Sequence, residues 1–141
     1  MAEINLGIIG GGQLGSMLSV AAKKLNIKTT IYCDDIDAPA QNFCNEFIFG
    51  KYDDKEKISK FIEKVNIITY EFENIPYETL NEINKKKSVL PKPSINRLIQ
   101  HTQSASLYCG VVIYLVLIVV QNSFTTPHIH NVVTMKTMLK A

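Results

Sequence analysis

Two rhythms of apolar residues alternate along the first hundred positions. "INLGII" (4–9) is a short continuous apolar run ended by glycines, the form of a buried parallel strand. Apolar side chains then recur at Leu14, Met17, Leu18, Ala21, Ala22 and Leu25, a helical spacing closed by Lys23 and Lys24 near its C-terminus. "KTTIYC" (28–33) is rich in β-branched and aromatic residues and predicts a second strand. "DDIDAPAQ" carries turn chemistry, and "EFIFG" predicts a short third strand. "DDKEKISKFIEK" opens on Asp capping candidates and places Ile58, Phe61, Ile62 and Val65 at helical spacing. "VNIITY" (65–70) predicts a fourth strand, followed by the loop "EFENIP". Pro76 suits the first turn of a helix through "PYETLNEINKKK". "SVL" (88–90) offers a fifth strand, and "PSINRLIQ" begins another helix.

Strand and helix alternate throughout, which predicts an α/β fold: a parallel sheet with helices on both faces, half of a doubly wound domain. No internal repeat is visible. The parallel strands expected are those near 4–9, 28–33, 46–49 and 65–70.

Charge divides the chain in two. All 13 acidic residues lie between Glu3 and Glu82, and only Lys136 and Lys140 carry charge beyond residue 100. Within that tail "VVIYLVLIVV" (111–120) is uninterrupted apolar sequence, seven of its ten residues β-branched. Residues 1–100 therefore read as one domain, and 101–141 as a divergent apolar tail whose structure the pattern leaves open. The chain's net charge of +2 gives no reason to expect nucleic acid as a partner. Cys33, Cys44 and Cys109 lack zinc-type spacing, and no secretory signal precedes the first apolar run. A reduced, cytoplasmic setting is the expectation.

The chemistry concentrates at two strand ends. Gly10, Gly12 and Gly15 match G-x-G-x-x-G between a predicted strand and a predicted helix. The helix N-terminus there favours an anion or a polar sugar group. Asp34, at the end of the second strand, completes the residues an NAD-binding site would use for the ribose hydroxyls. The alternatives are a tight turn with no ligand, or a different nucleotide. Gln13 favours the last, because its amide suits a hydroxyl or amine better than a pyrophosphate. Glu71 and Glu73 follow the fourth strand, where ligands bind in open parallel sheets. If the strand persists, the two carboxylates share a face and would repel a pyrophosphate. Otherwise Glu71 is solvated and Glu73 caps the helix at Pro76.

In order and spacing, "GIIGGGQLG", "DAPA", "EFIFGKYDD", "TYEFENIP" and "PKPS" resemble the carboxyaminoimidazole ribonucleotide synthase family of the ATP-grasp superfamily. The resemblance runs from about residue 4 to residue 100. It implies a Rossmann-like, pre-ATP-grasp domain that does not bind NAD. It also implies a purine-pathway ligase that uses ATP and Mg²⁺ to activate bicarbonate as carboxyphosphate and carboxylates the exocyclic amine of aminoimidazole ribonucleotide. Gly12, Gln13 and Leu14 at the helix N-terminus, with Glu73, would contact that substrate. Asp34 becomes a loop-facing acid.

Beyond "PSINRLIQ" the resemblance ends. Nothing after residue 100 corresponds to the family's nucleotide-clamping lysines, glycine-rich flap or Mg²⁺-binding carboxylates. Neither ATP nor Mg²⁺ is therefore expected to bind this chain. It should be inactive alone, with no catalytic or metal-ligating residue of its own, and should bind the ribonucleotide weakly. A homodimer or a partner chain supplying the remainder stays open. For the tail, an out-of-frame product, a membrane anchor and a strand completing the sheet compete. His128 and His130 form an H-x-H pair without a third ligand nearby, which favours an ordinary loop over a metal site.

Overall fold

The computed structural model describes residues 4–71 and 74–100, with the side chains of 98–100 excepted. Strands β1 (Asn5–Ile9), β2 (Lys28–Cys33), β3 (Glu46–Phe49) and β4 (Ile67–Tyr70) form one sheet in the order β3-β2-β1-β4, parallel at every pairing. Helices α1 (Gln13–Lys24), α2 (Lys55–Lys64), α3 (Tyr77–Lys86) and α4 (Pro93–Gln100) alternate with them, and a single 3₁₀ turn spans Pro39–Asn42. The expected α/β sheet is therefore present. The tail, with its apolar run and its histidine pair, lies outside the described residues.

Side-chain alternation along the strands builds two cores. Leu6, Ile8, Ile31 and Cys33 point to one face, where they meet Leu18 and Ala22 of α1 and Ala38 and Ala40 beside the 3₁₀ turn. Ile9, Tyr32, Ile68 and Tyr70 point to the other, against Phe61 and Ile62 of α2 and Leu80 and Ile83 of α3. The helix face that α1 buries is made largely of small residues, Gly15, Ser16, Ser19 and Ala22 beside Leu18. Met17, which shares the helical apolar spacing, instead faces outward and is 60% exposed. Helix α2 starts where the capping signal placed it: the Asp54 carboxylate accepts from the Lys57 N–H at 3.0 Å.

Three boundaries differ from expectation. Strand β4 begins at Ile67, because Val65 leaves the C-terminus of α2 in extended conformation and buries its side chain in the core. Pro76 is the N-cap of α3 and not a residue of its first turn. Residues 88–90 contribute only one parallel bridge, Val89 to Ile68, held by Ile68 N–H to Ser88 O at 3.0 Å and Leu90 N–H to Ile68 O at 2.9 Å.

The strand order positions the site. From β1 the chain moves outward through β2 to β3, then returns to place β4 on the other side of β1. That reversal makes the carboxyl ends of β1 and β4 the switch point of the sheet, where an open parallel sheet forms its ligand crevice.

Candidate functional site at the carboxyl ends of β1 and β4

The glycine loop fills the mouth of this crevice. Gly10 leaves β1 with φ of 106°, a left-handed conformation that glycine adopts without strain. Its N–H donates to Tyr32 O at 2.9 Å, and Gly11 O accepts from the Ala40 N–H at 3.0 Å. Gly12 is the N-cap of α1, and neither a side-chain cap nor an acidic residue occupies the first turn. Gly15 packs close to the loop, since a Cβ there would lie 2.8 Å from Gly10 O. Close approach at Gly15 and the turn at Gly10 thus account for two of the three motif glycines without any ligand.

The third is explained by Glu71. This residue follows β4 directly, and its N–H donates to Ile9 O at 3.1 Å, carrying the β1–β4 pairing one step past the strand. Its carboxylate Oε1 accepts from the Gly12 N–H at 2.8 Å, and the residue is only 8% exposed. The side chain lies flat against the loop: a Cβ on Gly10 would stand 2.8 Å from Glu71 Cγ, and one on Gly12 would stand 3.0 Å from Oε1. A solvated Glu71, one of the two sequence alternatives, is thereby overturned. A buried carboxylate needs polar partners, and the Gly12 amide is one.

Of the other anticipated residues, Gln13 is exposed as the first residue of α1, and Leu14 beside it is half-buried. Both sit at the crevice mouth with the helix N-terminus. Asp34 is exposed just past β2 and turns toward Tyr52. Burial, followed by the charges of Cys33 and Asp34, a hydrogen bond to the Asp34 carboxylate and the charge of Glu71, pushes the Tyr52 phenol well up. The contact of Glu71 with the glycine loop was not anticipated. Glu73 lies outside the described residues, so the structure brings together Gly10, Gly12, Gln13, Leu14 and Glu71 without placing the second acid.

Cys33 is a buried thiol, only 5% exposed. Burial pushes its thiol up, partly offset by N–H groups of Asp35 and Gly11. Among the described residues no group of three His, Cys, Asp or Glu side chains is arranged to hold a metal ion. No described helix is long and apolar enough to cross a membrane. A shallow groove lined by Asn5, Lys28, Thr30, Asn45, Glu46 and Lys64 lies at the opposite, amino-terminal end of the sheet. There Lys64 pairs with Glu46 at 2.7 Å, and Asn5 Nδ2 donates to Thr30 Oγ1 and Lys64 O, so these groups answer one another.

Residues 1–100 match the family profile of the ribonucleotide synthetase preATP-grasp domain. The chain belongs to this family. An N5-carboxyaminoimidazole ribonucleotide synthase from Staphylococcus haemolyticus is 42% identical over 84 residues, which are 60% of this chain and 22% of that protein. The solved N5-carboxyaminoimidazole synthetase from Staphylococcus aureus, complexed with ADP, superposes with a TM-score of 0.66 at 35% identity, covering 70% of this chain and 27% of that one. The synthase from Aspergillus clavatus, solved with ADP and 5-aminoimidazole ribonucleotide, gives 0.61 at 27% identity over 70% of this chain and 26% of its own. The chain thus spans about a fifth of the curated relative and about a quarter of the solved ones. The preATP-grasp domain is what this chain shares with these purine-biosynthetic synthases.

Proposed function

We propose that this chain is the substrate-side domain of an ATP-dependent carboxylation of aminoimidazole ribonucleotide, and that it binds that ribonucleotide at the mouth of the β1–β4 crevice. The observation that carries this reading is the placement of the α1 N-terminus at the switch point between β1 and β4. The N-terminus of α1 opens there, with Gln13 exposed beside it, while the glycine loop behind it is occupied by a carboxylate of the same chain. The amide of Gln13 and the free N–H groups of the first turn suit polar groups of a nucleotide. In this reading Gly12, Gln13 and Leu14 line the ligand and Glu73 accepts its hydrogen bonds. The Aspergillus relative, solved with 5-aminoimidazole ribonucleotide, supports the assignment of ligand class.

The ATP and Mg²⁺ of the full reaction belong, in this reading, to protein beyond residues 1–100. The described residues offer Mg²⁺ no ligand set, so no step of phosphoryl transfer is assigned to them. Their part is to bind and orient the acceptor amine. Carboxylation then requires the other three-quarters of the enzyme that the matched relatives contain.

One or two charge-assisted hydrogen bonds, at about 1.5–3 kcal/mol each, leave little after association costs. Calorimetry with aminoimidazole ribonucleotide should give a dissociation constant in the millimolar range, lost in Glu73→Ala. Hydrolysis of ATP dependent on the ribonucleotide should be absent from the chain alone. Micromolar binding of NAD, weakened by Asp34→Ala and indifferent to Glu73→Ala, would overturn the reading in favour of a small dinucleotide-binding protein.

A further inference from the structure

In a dinucleotide-binding domain the pyrophosphate lies against the glycine turn and the N-terminus of the first helix, where backbone N–H groups face it. Here the same turn has the required conformation at Gly10 and the required close approach at Gly15. What differs is the occupant. The Glu71 carboxylate takes the Gly12 N–H at 2.8 Å and fills the space directly over Gly10 and Gly12. An incoming phosphate would compete for that N–H and would meet a like charge within a few ångströms, in a position largely closed to water. We propose that Glu71 is a specificity-determining residue: a resident anion of the glycine loop that excludes phosphate and pyrophosphate groups from it. A nucleotide then engages the crevice only from the outer side, through Gln13 and Leu14. The inference deepens the ribonucleotide reading and rests on it only for which ligand is admitted. The exclusion of phosphate stands on the Gly12–Glu71 geometry alone.

The backbone amides of Gly10 to Leu14 report on this directly. The full chain, labelled with ¹⁵N, is titrated with inorganic pyrophosphate as wild type, Glu71→Gln and Glu71→Ala, and separately with aminoimidazole ribonucleotide. Glu71→Gln keeps an acceptor for the Gly12 N–H and removes the charge; Glu71→Ala empties the space as well. The wild-type amide of Gly12 should show no saturable response to pyrophosphate. Each folded variant should bind it at that amide at least about tenfold more tightly. A role limited to bracing the loop predicts only losses on substitution, never a gained affinity. Saturable binding at Gly12 in the wild type would overturn the proposal, whatever the variants do. So would variants that keep their amide dispersion and bind no better than wild type. If Glu71→Ala fails to fold, Glu71→Gln decides. Failure of the ribonucleotide to perturb any of these amides, with the pyrophosphate gain intact, would sink the functional reading and leave this one standing.

Discussion

The ring of Phe61 occupies the space over Gly7: a Cβ on that glycine would lie 2.8 Å from Phe61 Cζ and 3.1 Å from Ile68 Cγ1 and Val65 Cγ2. A bare backbone in the middle of β1 is what lets α2 set its one fully buried aromatic ring against the sheet. The same ring meets Tyr32, centroid to centroid, at 5.6 Å. Two strands and a helix are thus joined through one side chain.

Substitution at this contact should be costly and non-additive. Phe61→Ala is expected to lower stability by about 3–5 kcal/mol, and Gly7→Ala by about 1–3 kcal/mol through overpacking. In the double variant the new methyl enters space that the ring has vacated, so the combined loss should fall short of the sum. Urea unfolding of the four proteins tests this; strict additivity would show that the two sites do not share that space.

Stability should fall in alkali within a defined window. The Tyr32 hydroxyl donates to Lys51 O at 2.6 Å, and its pKa is pushed up to about 12 by burial first, then by the carboxylates of Asp54, Asp53 and Asp34. An unfolded tyrosine ionises near pH 10, so the folded state holds this proton longer than the unfolded state does. Its contribution is whole below about pH 10 and is lost as pH rises toward about 12. The raised thiols of Cys33 and Cys44 act in the same direction from near pH 9. Tyr32→Phe should lose about 0.5–1.5 kcal/mol at neutral pH and show a shallower decline between pH 10 and 12. Thermal midpoints collected across that range, with phenolate absorbance followed in parallel, provide the check; parallel curves for the two proteins would contradict it.

Among the described residues, both cores are built from side chains between Leu6 and Val89. Ending the chain after residue 100 should therefore leave the thermal midpoint within about 5 °C, a shift small against the loss of any core side chain. It should also improve solubility by removing the apolar run at 111–120. Unfolding of the shortened chain would show that the tail completes a core, as the sheet-completing alternative holds.

Local chemistry made most of the fold legible. Short apolar or β-branched runs ended by glycine, Asp or Glu marked all four strands, and Asp54 marked the start of α2 within a residue. The misplacements fall where two signals overlap. Val65 satisfies both the helical spacing of α2 and the apolar run of β4, and packing resolves it as the link between them. Glu71 was beyond reach for a different reason. Its partner Gly12 is 59 residues away, and nothing local shows that β4 lies beside β1. Once that adjacency is known, the first residue past β4 has only one loop to face. The position of Gln13 and Leu14 at the start of α1 was readable, because both lie between Gly12 and Gly15 of the strand-to-helix turn.

The two margins of the sheet differ from its middle in a way that governs how the molecule meets others of its kind. Strand β3, an outer strand among the described residues, is four residues long. It begins at Glu46, paired with Lys64, and ends at Phe49, whose ring carries the Lys57 ammonium 5.3 Å from its centroid. At the other margin, the single bridge at Val89 is preceded by Lys85, Lys86 and Lys87 and followed by Pro91, which has no N–H to offer. A strand from a second molecule would have to displace the Glu46–Lys64 ion pair on one side and pair beside a lysine-rich, proline-ended segment on the other. Among the described residues, both margins of the sheet therefore carry features that discourage edge-to-edge growth.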